Sequence, residues 1–151
     1  MYGPESTGKT TLSKQLAAHY NDEWIPEFAR DFLQEKWDKN KEICTEEDLI
    51  PIAIGQLKLE NEAVLKAKKF LFCDTNLLVT KVFSDIYYNR CDANLEQAAR
   101  EHEYDLIFLT NIDVPWEADD LRDSPDDREI TFGTFKKAII ANGNPYIKLK
   151  G

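Results

Sequence analysis

Residues 3–10 read GPESTGKT, a complete G-x-x-x-x-G-K-[ST] spacing. Each fixed position has a mechanical reason. Gly3 and Gly8 let the backbone curl so that successive N–H groups point inward at a polyphosphate. Lys9 reaches toward the β- and γ-phosphates, and the Thr10 hydroxyl is placed to ligate Mg²⁺. A helix that follows such a loop sets the positive end of its dipole under the same anion. A chance glycine turn is the plainer alternative. Against it, TLSKQLAAHY continues with helical apolar spacing at Leu12, Leu16 and Tyr20. The chemistry implied is binding of a nucleoside triphosphate.

Further groups could act on such a ligand. The run FLFCD at 70–74 ends in Asp74, which resembles a Walker B carboxylate that holds Mg²⁺ directly or through water. Capping a helix after the strand is the alternative for that D-T-N. The run EWIPE at 23–27 ends in Glu27, with Arg30 one helical turn later. A carboxylate there can orient or deprotonate a substrate hydroxyl, and the guanidinium can grip a phosphate oxygen or that carboxylate. A surface helix start, with Glu27 favoured by the dipole, is the alternative. The stretch Thr110–Arg128 is long, acidic and aperiodic, which predicts a functional lid over about 111–128 or a solvated loop. Within it, Arg122 and Arg128 suit stabilising charge on a transferring phosphoryl group. Trp116 offers a flat face to an aromatic ring, and Asp119 and Asp120 offer acceptors to ribose hydroxyls. Gln56, a polar residue among core-facing neighbours, is a further candidate for substrate contact.

Positioning these groups requires a sheet. Extended runs are expected at 23–27, 70–74, 105–110 and 145–149, separated by helical patterns. The helices are expected at 28–37 (Phe28, Phe32 and Leu33 inward), from Glu46 toward Lys68, at 77–88, at 95–102, and around Phe132, Phe135, Ile139 and Ile140. Thr45 with Asp48 reads as a capping box, Pro51 predicts a restart near Ile50, and Ile50, Ile54, Leu57 and Val64 are the expected buried stripe. Short apolar strands alternating with helices indicate a parallel sheet covered on both faces, an α/β P-loop fold in one domain over 1–151. Met1 and Tyr2 are too few to form the strand that such a loop follows, usually ~5–6 residues. The expectation is a natural protein that extends before Met1, and a closing helix after IKLKG.

Charge and composition narrow the classes. With 19 basic and 28 acidic residues the net charge is −9, against a nucleic-acid surface, which needs clustered Lys and Arg. Cys44, Cys73 and Cys91 form no C-x-x-C pair, and His19 and His102 are too separated for a metal cluster, so surface roles are expected for both. No apolar run reaches the ~18 residues of a membrane span, and a reducing cytoplasm is the simplest compartment. Oligomeric state is left open.

Taken together, GPESTGKT, IPEFAR at 25–30, FCDTN at 72–76 and YDLIFLTNIDVPWEADDLRD at 104–123 resemble the nicotinamide riboside kinase domain of NadR-type proteins, in order and over nearly the whole chain. The DVPW-x-x-D-x-LRD stretch is the more specific part. IPEFAR also resembles a segment of deoxynucleoside kinases whose glutamate serves the 5′-hydroxyl. The resemblance implies ATP-dependent phosphorylation of nicotinamide riboside in NAD salvage. It places Gly3, Pro4, Glu5, Ser6, Thr7, Gly8, Lys9, Thr10 and Thr11 on ATP and Mg²⁺, Glu27 and Asp74 near the acceptor hydroxyl and metal, and Trp116 to Arg122 over substrate. Kinases for another nucleoside or small alcohol, and a nucleotide-sensing module without acceptor, are the alternatives.

Overall fold

The computed structural model describes residues 1–122 and 126–151. Asp123, which closes the LRD motif, and Ser124 and Pro125 of the expected lid lie outside the described residues. Helix α1 (Lys9–Tyr20) leads to β1 (Glu23–Ile25), α2 (Phe28–Asn40), a 3₁₀ turn at Glu46–Asp48 and α3 (Leu49–Val64). Strand β2 (Leu71–Cys73), α4 (Leu77–Tyr88), α5 (Ala93–Glu101), β3 (Ile107–Thr110), α6 (Arg128–Ala141) and β4 (Tyr146–Leu149) follow.

The strands run parallel. Ile25 of β1 lies opposite Cys73 of β2, and Thr110 of β3 lies opposite Leu149 of β4. Residues 1–2 run between the two pairs. The Met1 amine donates to the Cys73 carbonyl at 2.5 Å. The Tyr2 N–H donates to Phe108 and the Thr110 N–H donates to Tyr2, both at 2.9 Å. The spatial order is therefore β1, β2, residues 1–2, β3, β4. The loop at 3–8 leaves from the edge at which these strands end, where open α/β sheets bind ligands.

Helix α4 is central to the core. Leu77, Leu78, Val79 and Val82 are buried with Tyr2, Leu95, Ile107, Leu109, Phe135 and Ile139. The Tyr2 hydroxyl donates to the Phe135 carbonyl at 2.7 Å, so this buried phenol is satisfied.

Helix positions match the sequence reading better than helix faces do. The capping box is present, with the Thr45 N–H donating to Asp48 at 2.7 Å. The helix restarts at Leu49, which puts Pro51 in the first turn, where its missing N–H costs nothing. Of the expected stripe of α3, Ile50 and Leu57 pack half-buried against the core, and the fully inward face is a different one. Leu49, Ile52, Ala53, Gln56 and Glu60 face inward, whereas Ile54 and Val64 are 61% and 56% exposed. The cause is that both inward polar groups find partners. Glu60 accepts from the Tyr104 hydroxyl at 2.9 Å and lies 2.7 Å from His102 Nε2, so His102 is more than a surface residue. On α1 the buried residues are Ser13 and Ala17 rather than Leu12, Leu16 and Tyr20. On α6 Ile140 is exposed, and β2 is half-buried rather than covered.

Candidate active site

The phosphate loop is shaped by left-handed backbone at Gly3 (φ 144°), Ser6 (52°) and Gly8 (79°). Gly3 also admits a close neighbour: a Cβ there would stand 2.6 Å from the Thr110 hydroxyl. That hydroxyl lies 2.7 Å from Thr7 Oγ1, which in turn donates to the Pro4 carbonyl at 3.0 Å. The loop is thus docked on the end of β3, and Gly8 opens directly into α1. The arrangement aims the first amides of α1 and its positive dipole end at one concavity.

That concavity is a cavity of about 260 Å³, lined by Glu5 to Thr11, Glu27, Arg30 and Arg122, with Leu33, Val79 and Phe83 on its apolar side. The Lys9 ammonium lies along the loop, donating to the Pro4 carbonyl at 2.6 Å. Withdrawal from solvent pushes Lys9 below its ordinary value, against the pull of Glu27 and Asp74. The same withdrawal raises Glu27, against the pull of Lys9. A phosphate beside Lys9 would favour its charged form.

Glu27 is set by its flanks. The buried Gln56 accepts from the Phe28 N–H at 2.9 Å and donates to the Pro26 carbonyl at 3.4 Å. Gln56 does not line the cavity, so the contact with substrate expected of it is replaced by a grip on the residues on either side of Glu27.

Asp74 is 2% exposed. Its Oδ2 accepts from the Thr10 hydroxyl at 2.6 Å, while Oδ1 is buried without a hydrogen-bond partner. The cap of the D-T-N stretch is Asn76, which accepts from the Val79 N–H, so Asp74 is not the residue that caps α4. An orphaned carboxylate oxygen beside a hydroxyl of the phosphate loop fits Mg²⁺, which takes one or two protein oxygens and completes its shell with water and phosphate. Among the described residues no group of three or more His, Cys, Asp or Glu side chains forms a metal cage of its own.

Asp119 is spent on cations: its Oδ2 accepts from Arg30 at 2.7 Å and lies 3.2 Å from Arg122 Nε. It is therefore an anchor for both guanidiniums rather than the open acceptor expected for a ribose. Arg122 also donates to the Glu117 carbonyl at 2.6 Å. Arg128, the first residue of α6, bonds the carbonyls of Val114 and Ser6, both at 3.0 Å, and its guanidinium lies 5.8 Å from the Trp116 ring centre. Neither Trp116 nor Arg128 lines the cavity over the phosphate loop. Both border a small crevice behind Glu5.

A second cavity of about 270 Å³ shares Glu5, Glu27, Leu33, Val79, Phe83, Leu121 and Arg122 with the first. Its own walls include Trp37, Glu42, Cys44, Leu49, Ile52, Tyr87, Tyr88 and Asp120. Sequence reasoning missed this chamber, since aromatic residues on helices read as core. The adjacent Tyr87 and Tyr88 at the end of α4 were the available signal, because the two point in different directions from the helix and do not share one core-facing stripe.

Comparison with known proteins agrees with this fold. The chain is 29% identical over 150 residues to the trifunctional NAD biosynthesis/regulator protein NadR of Salmonella typhimurium, covering 98% of this chain and 37% of that protein. It is 32% identical over 120 residues to the Escherichia coli protein of the same name, covering 80% and 29%. A solved structure of NadR protein in complex with NR superposes with a TM-score of 0.80 at 21% identity, over 99% of this chain and 42% of that one. Another, in complex with NAD and AMP-PNP, gives 0.75 at 23% identity over the same shares. The chain spans less than half the length of each of these proteins. Residues 1–151 match the family described as AAA domain (AAA_28), and the chain belongs to that family of P-loop domains.

Proposed function

We propose that this chain transfers the γ-phosphoryl group of ATP to the 5′-hydroxyl of nicotinamide riboside, giving the mononucleotide. The observation that carries this reading is the pair of adjoining cavities with Glu27 and Arg122 in their common wall. One is floored by the phosphate loop. The other sets Glu5, Glu27, Glu42 and Asp120 against Arg122 among aromatic rings. A pyridinium ring is a delocalised cation, which such a chamber favours over a neutral base through charge and ring-face attraction. The NR complex of one structural neighbour supports this acceptor, and the AMP-PNP complex of the other supports ATP as donor.

Glu27 faces both cavities, whereas Asp74 is engaged by Thr10, so Glu27 takes the proton of the acceptor hydroxyl. The hydroxyl oxygen then attacks the γ-phosphorus, the bond to the β–γ bridging oxygen breaks, and ADP leaves. Lys9 and the loop amides spread the charge of the transferring group, and Arg122 closes it from the lid side. Thr10 and Asp74 would hold Mg²⁺, which when bound neutralises β- and γ-phosphate oxygens. Among the described residues no helix is long and apolar enough to cross a membrane, and the proposed use of ATP supports a cytoplasmic setting for the reaction.

A panel of nicotinamide riboside, cytidine, uridine and adenosine with ATP and Mg²⁺ tests the assignment. Chromatography should show the mononucleotide, with kcat/KM at least about tenfold above the neutral nucleosides. Preference for a neutral nucleoside would overturn the acceptor. Nucleotide binding with no phosphorylated product would favour a sensing module instead.

A further inference from the structure

We infer that Ser6 is a positioning residue that seats the lid on the phosphate loop and, through Glu117, sets where Arg122 stands. The inference rests on the kinase reading above for its catalytic consequence, but its structural part does not.

Ser6 holds a left-handed backbone (φ 52°) that non-glycine residues rarely adopt. Glycine would take that conformation more readily, so the side chain needs a reason to be there. Its contacts supply one. The Ser6 hydroxyl accepts from the Glu117 N–H at 2.9 Å and donates to the Pro115 carbonyl at 3.3 Å. Its carbonyl accepts from Arg128, whose other Nη binds Val114. One loop residue is therefore gripped at Val114, Pro115 and Glu117 by two independent routes. The Glu117 carbonyl then accepts from Arg122, and Arg122 pairs with Asp119, which binds Arg30 on α2. The route from phosphate loop to lid guanidinium is continuous, and its first link is the Ser6 hydroxyl, which meets Glu117 and Pro115 in the wall of the phosphate cavity.

The consequence is coupling of lid position to the loop that carries ATP. With the seat intact, Arg122 stands in the wall common to both cavities. With the seat broken, Arg122 keeps its pairing with Asp119 but loses the fixed Glu117 carbonyl, its position loosens, and water gains access to the γ-phosphorus. Water then replaces the acceptor: its oxygen bonds to phosphorus, the bond to the β–γ bridging oxygen breaks, and ADP, inorganic phosphate and a proton result. Ser6 thereby favours transfer to the acceptor over hydrolysis.

Ser6→Gly separates this role from a structural one, because glycine tolerates the left-handed backbone while the hydroxyl that holds Glu117 and Pro115 is lost. Hydrogen exchange at the Glu117 amide, read without any acceptor, should quicken at least about tenfold. The kcat for phosphoryl transfer should fall about ten- to a hundredfold, and acceptor-free ATP hydrolysis should rise. Arg128→Gln should act in the same direction, and the double variant should lose less than the product of the two single effects. Unchanged Glu117 exchange, unchanged kcat, or independent single effects would each overturn the inference. If the unaltered protein phosphorylates no acceptor, the kinase reading fails alone, and the exchange measurement still decides whether Ser6 seats the lid.

Discussion

Lys9 and Glu27 face one concavity, and withdrawal from water acts on them in opposite directions, lowering the ammonium and raising the carboxyl. A base must be ionised to take a proton. Because Glu27 is held above the usual carboxylate value of ~4.3, the acid limb of kcat/KM should lie above that value, with activity lost as pH falls through it. Glu27→Gln should lower kcat/KM by about 10²–10⁴ and abolish that limb, as read from pH–rate profiles. An unchanged limb in the variant would assign it to another group. At this scale the sequence was informative where chemistry fixes both residue type and spacing: Lys9, Thr10 and Glu27 line one cavity, and Asp74 accepts from Thr10 beside it. It was uninformative where a polar side chain has two plausible partners. Asp119 and Arg128 are spent on protein groups, a choice that depends on chain segments distant in sequence.

Helices and strands were legible at nearly their observed bounds, because caps, Pro51 and apolar runs are local signals. Their inward faces were less so. On α3 the apolar periodicity pointed to Ile54 and Val64, yet the helix turns Gln56 and Glu60 inward because their partners lie on other elements. Gln56→Ala illustrates the cost. The half-buried Phe28 N–H and Pro26 carbonyl would lose their partner, which should destabilise by about 1–3 kcal/mol in urea unfolding. Activity should fall further than stability explains, because the residues flanking Glu27 are then no longer held. Wild-type turnover in a destabilised variant would show that Gln56 does not fix Glu27.

Across the molecule, Asp22 joins the end of α1 to the entry of β2. It accepts from the N–H groups of Lys68, Glu23, Lys69 and Phe70 at 2.9, 3.0, 2.7 and 2.8 Å. Sequence reasoning passed over it, since an aspartate after a helix reads as an ordinary turn. The Phe70, Lys68 and other amide bonds hold its carboxyl well below the usual carboxylate range. A depressed folded value stabilises above the unfolded value of ~3.9, and the contribution is lost as pH falls toward the folded one. The urea midpoint of Asp22→Asn should therefore trail wild type most at neutral pH and converge with it below about pH 4. A gap that stays constant down to pH 2 would assign the effect to packing instead.

The wall that Glu27 and Arg122 give to both cavities bears on stereochemistry. Under the proposed activity, donor and acceptor occupy neighbouring chambers together and react face to face, without a phosphorylated protein in between. A chiral γ-thiophosphate carried through such a single in-line displacement emerges with its handedness reversed, whereas two successive displacements would return it unchanged.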